Sequence, residues 1–385
     1  MKKNSIILKC IMAVMLSISL TGCWNYREID QLYMVSGFAV DKSPDGRYLI
    51  TAETVDIKSG DKEATFASKT FSAEGATILD AIRNIVIISG RKLYFSHAKV
   101  AVISQDVAIE GIIQILDLII RDTEPRLELN VMISKEKTAK ELFITKNEST
   151  KIQGLEIDKM VKSQISLSKA PTTKVYELIN SLSTENESAV LPAVGFDMNA
   201  GIKDIALSGA ALIKKDKFVG FLDKEDTKHI LFVKNQVKKG VLPEIESNEA
   251  SHSSISLEIF ESKTKITPVY SSGKTSINVN IKTNAIVDEH GPVKSYIDKE
   301  SISILKREAE KALEKNIKDT IHKVQEQYEV DIFGFGNEIK RKMPALWKSI
   351  AQDWDNLFKD LDVDVKASID IRGSGQISRP IKIGE

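Results

Sequence analysis

An eleven-residue apolar run, "CIMAVMLSISL" (10–20), ends in "LTGC" (20–23) and constrains everything that follows it. A helix of that length rises only about 16 Å, well short of a hydrocarbon core roughly 30 Å thick. Behind the basic "MKKNSIILK" it has the length and flanks of a signal-peptide h-region. No other window reaches the roughly eighteen apolar residues that a spanning helix needs. The chain after the leader is therefore expected to fold outside the bilayer. It is also expected to do so without disulfides, because Cys10 lies in the leader and Cys23 is the one cysteine beyond it.

Three fates are open to Cys23: a buried side chain, half of a disulfide, or a point of attachment. Cysteine arithmetic removes the intramolecular disulfide and any cysteine-based zinc site. "LTGC" resembles the lipobox of bacterial lipoproteins, in which the cysteine is acylated and the peptide bond before it is cut. The small Thr21 and Gly22 suit the close approach of a processing enzyme. Two or three acyl chains hold a protein firmly, whereas one holds it only reversibly. Cys23 is expected to be the lipid attachment site, with residues 1–22 as the signal peptide.

The chain has 385 residues, 42% hydrophobic and 28% charged, enough for two or three domains with ordinary cores. Its 54 basic and 54 acidic residues balance, and loss of Lys2, Lys3 and Lys9 with the leader tips the balance to acid. Nothing in that distribution suits a nucleic-acid binder, which shows a basic domain or stripe.

Periodicity alternates between helix and strand. "YMVSGFAV" and "YLITAETV" predict two strands about the turn "SPDG". Residues 74–89 predict a helix with Ile78, Ala81, Ile82, Ile85 and Val86 on one stripe, and 108–122 a second amphipathic helix. "HAKVAVIS" (97–104) and "LELNVMIS" (127–134) predict strands. Residues 181–200 are expected to form a loop or linker. A hairpin about "KKDK" and a helix from Asp223 follow. "SISLEIFES", "TKITPVYSS" and "TSINVNIKTNAIVDE" predict two or three strands with one wet face. The last third predicts a helix over about 299–328, a second over 344–360 with proline in its first turn, and a late strand in "LDVDVKASIDIRGSG".

Chemistry is sparse. None of the five histidines (His97, His229, His252, His290, His322) falls in a metal-ligand spacing. No Ser-Gly pair lies in G-x-S-x-G, and "DIFGFG" lacks the residues of a phosphate loop. Its glycines are expected to turn the chain, with Phe333 and Phe335 packing inward. The acidic pairs Asp122/Glu124 and Asp362/Asp364 read as solvated faces. "RDTEPR" (121–126) is the densest charged cluster after a helix, making Arg121, Asp122 and Arg126 a candidate partner contact. No catalytic residue, metal or cofactor is expected.

Four stretches in order are similar to the Ger(x)C family, the C-subunit lipoproteins of bacterial spore germinant receptors. They are "TGCWNYREIDQLYMVSGFAVD" (21–41), "SHAKVAVIS" with "EGIIQILDLIIRDTEPR" (110–126), "LSGAALIKKDKFVGFLD" (207–223) and "DIFGFGNEIKRKMPALW" (331–347). The resemblance implies an α+β fold of three mixed α/β domains with antiparallel or mixed sheets in an elongated body. The corresponding boundaries are 23–196, 197–268 and 269–385. It implies a non-enzymatic, membrane-anchored subunit on the outer face of the spore inner membrane, required for nutrient-triggered germination. Its implied partners are A-type and B-type integral-membrane receptor subunits and, through acylated Cys23, membrane lipid; no nucleic acid is expected. A solute-binding lipoprotein is the alternative.

Overall fold

The computed structural model describes residues 5–7, 12, 28–59, 64–145, 152–184, 188–199, 201–242, 256–289 and 299–372. Cys23 and the leader's h-region apart from Met12 lie outside the described residues. The first half runs β1 (Leu32–Lys42), β2 (Tyr48–Ser59), β3 (Ala64–Gly75), α1 (Ile78–Ser89), β4 (Lys92–Tyr94) and β5 (Val100–Ile103). It continues through α2 (Gln105–Glu110), α3 (Ile113–Arg121), β6 (Asn130–Ser134), α4 (Glu141–Ile144), α5 (Gln153–Ser163) and α6 (Val175–Ser183). Three strands complete it: β7 (Ala189–Asn199), β8 (Ile202–Lys214) and β9 (Lys217–Leu222).

Among the described residues these nine strands form one mixed sheet of order β3-β2-β1-β5-β6-β7-β8-β9, with β4 pairing beside the start of β1. The centre, β1-β5-β6-β7, is parallel, and antiparallel hairpins flank it on both sides. Central strands covered on both faces should be apolar at successive positions. Phe38, Val40, Ala101, Ile103, Val131 and Ile133 enter one core with α1, α2, α3 and α6. Their neighbours Ala39, Val100, Val102 and Met132 enter the other, under α4 and α5. The alternation is the two-residue period of a strand showing on both faces at once.

The second half begins with α7 (Lys224–Val233), capped by the Asp223 carboxylate on the N–H groups of Glu225 and Asp226 at 2.9 and 2.8 Å. β10 (Gly240–Val241), β11 (Ser256–Ser271), β12 (Lys274–Glu289) and β13 (Asp362–Ile371) form a four-stranded sheet in that order. The helices α8 (Lys299–Gln327), α9 (Phe335–Lys342), α10 (Pro344–Ile350) and α11 (Trp354–Lys359) separate β12 from its parallel neighbour β13. Leu305, Ala309, Leu313, Ile317, Ile321 and Val324 of α8 recur at spacings of three and four and are buried against this sheet.

Several elements depart from the pattern predicted above. The helix expected over 108–122 is broken at Gly111, whose φ of 139° suits glycine, while the Ile112 N–H donates to the Asp216 carbonyl at 2.8 Å. The linker expected over 181–200 contains the end of α6 and strand β7. Pro192 sits at a register shift between Pro192 and Val194, where β7 tolerates a residue that otherwise marks a loop. The two or three strands expected over "SISLEIFES", "TKITPVYSS" and "TSINVNIKTNAIVDE" are two, the first two stretches forming the single strand β11, and the helix expected at 344–360 is α10 and α11 joined by a 3₁₀ turn.

The positions 196/197 and 268/269 lie inside β7 and β11 respectively. Residues 202–222 complete the first sheet, whereas α7 and the strands after it belong to the second core. The two cores meet on β8, where Ala211 and Ile213 belong to the first and Ala210 and Leu212 to the second. The architecture is a mixed α/β fold built on two mixed sheets.

Candidate functional site

The buried acids give a first indication of what this fold does with charge. Asp41, at the C-terminal end of β1, accepts the N–H groups of Ala139 and Lys140 at 2.7 and 2.9 Å. Burial pushes its carboxyl up to about 6 in spite of those bonds. Glu53, fully buried on β2, accepts the Gln153 and Gly154 N–H groups at 2.8 Å each and the Ser36 hydroxyl at 2.6 Å. It caps α5 from a strand a hundred residues away, because α5 carries no capping side chain of its own.

Asp331 repeats the arrangement in the second core. One oxygen receives the N–H groups of Phe333, Gly334 and Phe335 at 3.1, 2.9 and 3.2 Å. The other receives the Gly336 N–H at 2.8 Å and the Trp354 indole N–H at 3.3 Å. Burial holds this carboxyl above the usual range, opposed by the same backbone donors. The segment "DIFGFG" is thus a buried turn into α9, with Phe333 and Phe335 stacked 5.1 Å apart inside it.

A polar cluster joins α7 to α8. Thr320 donates its hydroxyl hydrogen to Asp226 at 3.0 Å, so the His229 Nδ1 lying 2.8 Å from that hydroxyl is the donor to it. Burial lowers the affinity of His229 for a second proton, and Nε2 has no partner among the described residues. Lys228, also buried and pushed down by burial, donates to the Val241 carbonyl at 2.9 Å and to Glu225 at 3.2 Å. Lys323 pairs with Asp226, and Lys169 reaches Glu225 at 2.9 Å from the loop between α5 and α6. These groups tie elements together. No group of three or more His, Cys, Asp or Glu side chains among the described residues is placed to hold a metal ion.

The sequence-predicted cluster lies at the end of α3. Arg121 is exposed and pairs with Asp117 one turn back at 2.7 Å, which pushes the guanidinium further up. The Asp122 carboxylate accepts the Glu124 N–H at 3.0 Å, and Glu124 itself pairs with Lys92 on β4. Arg126 is exposed, and its carbonyl accepts the Leu129 N–H at 3.2 Å. The structure brings the three residues into one solvated turn. An open cleft of 420 Å³ lies elsewhere, lined by Gln164, Thr173, Ser181, Lys234, Asn235 and others where α6 and β7 face the end of α7.

Sequence reasoning passed over Asp41, Glu53 and Asp331. Asp331, a single acid in the apolar "VDIFGFG", carries a signal in retrospect, whereas Asp41 runs into Lys42 and Ser43 and Glu53 lies beside Thr54, as solvated acids also do.

Comparison with known proteins agrees with this architecture. Residues 25–196 match the family described as spore germination protein N-terminal domain. Residues 208–375 match the one described as spore germination B3/GerAC like, C-terminal. Spore germination protein B3 of Bacillus subtilis is 28% identical over 94% of this chain and 96% of its own length. Spore germination protein KC of the same organism is 24% identical over 97% of this chain and 98% of its own. The crystal structure of the GerBC protein superposes with a TM-score of 0.54 at 24% identity, covering 88% of this chain and 97% of that one. Carrying both domains in order, this chain belongs to the GerAC-like family of spore germination proteins.

Proposed function

We propose that this protein is a membrane-anchored, non-catalytic subunit of a nutrient germinant receptor, required for spore germination. The observation that carries the reading is the ordered match of both family domains, from residue 25 to 375, on a fold shared with GerBC. The site chemistry supports it: the buried carboxylates Asp41, Glu53 and Asp331 are occupied by backbone N–H groups. A carboxylate held this way stabilises a turn or a helix start and is poorly placed to move protons in a reaction.

In this reading Cys23 carries the acyl chains, and the folded chain sits on the outer face of the spore inner membrane. Confinement raises the effective concentration near embedded A-type and B-type subunits, so weak contacts suffice. Arg121, Asp122 and Arg126 are the proposed contact. Three units are distinguished: 23–196, a middle segment over 197–268 that contributes strands to both sheets, and 269–385. No helix among the described residues is long and apolar enough to cross a membrane, which accords with anchoring at one end. The cleft of 420 Å³ favours a second reading, a solute-binding lipoprotein.

Spores carrying Cys23→Ala in place of the intact chain test the proposal. The expected result is loss of the protein from the membrane fraction and slowed germination on nutrients. Unchanged nutrient germination in spores lacking the whole chain would overturn it.

A further inference from the structure

Exposed apolar side chains gather at the end of the first sheet where the chain enters from Cys23. Ile87 and Ile88, at the C-terminal end of α1, are 83% and 63% exposed. Ile87, two positions on from Ile85, falls off the stripe of Ile78, Ala81 and Ile85 that faces the core, whereas Ile88 continues that stripe into the last turn, where it is left uncovered. Gly90 closes α1 in the left-handed conformation, and Arg91 leads into β4, whose Lys92 lies in register with Leu32 at the start of β1. Ile29 stands three residues before Leu32 and is 76% exposed. The ion pair between Lys92 and Glu124 brings the end of α3 to the same place, with Ile120 at 52% exposure. The Tyr176 N–H donates to the Leu127 carbonyl at 3.2 Å, adding two more exposed apolar side chains.

Single exposed apolar residues need no explanation, but a cluster of them does. The tether supplies one here. Glu28 lies five residue steps beyond Cys23, and five steps span at most about 18 Å when fully extended. An acylated Cys23 therefore keeps the start of β1, and the patch around it, next to the bilayer. The charges around the patch are of both signs. Arg83, Arg91, Arg121 and Arg126 are exposed, as are Glu28, Asp30 and Glu128, while Asp117 pairs with Arg121 and Glu124 with Lys92. Net charge does not select the occupant; apolar area beside long arginine stems does, since such stems lie along an apolar layer with their heads at phosphate level.

We infer that this end of the protein rests on the lipid surface, with Ile87, Ile88 and Ile120 in the boundary between headgroups and acyl chains. The inference depends on the reading of Cys23 as the acylated anchor. It fixes an orientation: α1 and α3 point their C-terminal ends at the membrane, and the proposed contact at Arg121–Arg126 lies at headgroup height, within reach of the exposed loops of an embedded subunit.

The test uses the full acylated chain in vesicles of phosphatidylglycerol and phosphatidylethanolamine. Single thiols are introduced by Ile87→Cys, Ile88→Cys and, in the exposed hairpin of the second sheet, Ser271→Cys. Acylation occupies Cys23 and Cys10 leaves with the leader, so each variant takes one environment-sensitive fluorophore. The expected result is several-fold brighter emission at 87 and 88 than at 271, quenched by lipid spin-labelled near the headgroup. Probes at 87 and 88 that behave like the one at 271, on a chain that floats with the vesicles, would overturn the inference and leave the anchor standing. A chain that does not float overturns both. Bright emission that spin-labelled lipid fails to quench marks burial against a second copy or another protein, and also overturns it.

Discussion

The carboxylate of Asp331 receives the indole N–H of Trp354 at 3.3 Å, joining the turn before α9 to the helix that precedes the last strand. Trp354 in turn packs edge-on against Trp347 at 5.4 Å, and a β-carbon on Gly336 would meet Trp354 at 2.8 Å. The second core therefore closes around one acid, and most of that acid's bonds go to backbone.

Replacement Asp331→Ala should be strongly destabilising. It leaves four backbone N–H groups and an indole N–H buried without their acceptor, and stranded donors cost about 1–3 kcal/mol each before any relaxation. A loss on the order of 3 kcal/mol or more is expected in urea unfolding. A change below about 1 kcal/mol would show that water replaces the carboxylate.

Asp41 gives a pH signature. Its folded pKa of about 6 lies above the ordinary 3.8, so the native state binds the proton more tightly than the unfolded chain. The stabilisation is fully present below about pH 4 and is lost as pH rises through about 6, at roughly 1.4 kcal/mol per unit across that window. The amide of an Asp41→Asn variant does not titrate. The stability advantage of the native protein over that variant should therefore shrink between pH 4 and pH 6 and stay level above, as read from urea midpoints at each pH. A constant difference across that range would contradict the account.

Gly154→Ala sets two effects against each other. Alanine is favoured over glycine within a helix by about 1 kcal/mol. The added β-carbon would, however, meet the Ser36 carbonyl carbon at 2.7 Å and the Gly37 nitrogen at 2.8 Å, both backbone atoms that cannot swing aside. Overpacking of this kind costs about 1–3 kcal/mol, so net destabilisation is expected, seen as a lower Tm. An unchanged or raised Tm would mean that α5 can lift from β1.

Arg121→Ala separates stability from partnership. Its pair with Asp117 is solvent-exposed, so the Tm should not move measurably. If the turn meets an embedded subunit, recovery of that subunit with the variant should fall several-fold. Full recovery would remove Arg121 from the contact.

Local pattern carried much of this fold. The stripe through α1, the "SPDG" turn, the hairpin about residues 215 and 216, and the α8 periodicity each follow from short-range spacing, which is where helices and turns are decided. Strand β3 went unread because "TFASKTFSAEG" is polar and small; it is held by pairing with β2, a tertiary effect invisible to propensity. Pro192 and Gly195 made β7 look like a loop, yet the bulge that accommodates the proline exists only once β8 is beside it. The site was legible unevenly. Arg121–Arg126 stood out as charge, but its nearness to β4 depends on the Lys92–Glu124 pair across the sheet end. Glu53 capping α5 could not be read from either segment, since the donor and acceptor are about a hundred residues apart.

Detergent extraction of spore membranes, with capture of the intact chain and identification of what accompanies it, tests the central claim most directly. The account predicts two integral-membrane proteins of A and B type in stoichiometric amounts with the intact chain, and their loss when Cys23 is replaced by Ala. Capture of the acylated chain with no integral-membrane subunit would contradict it.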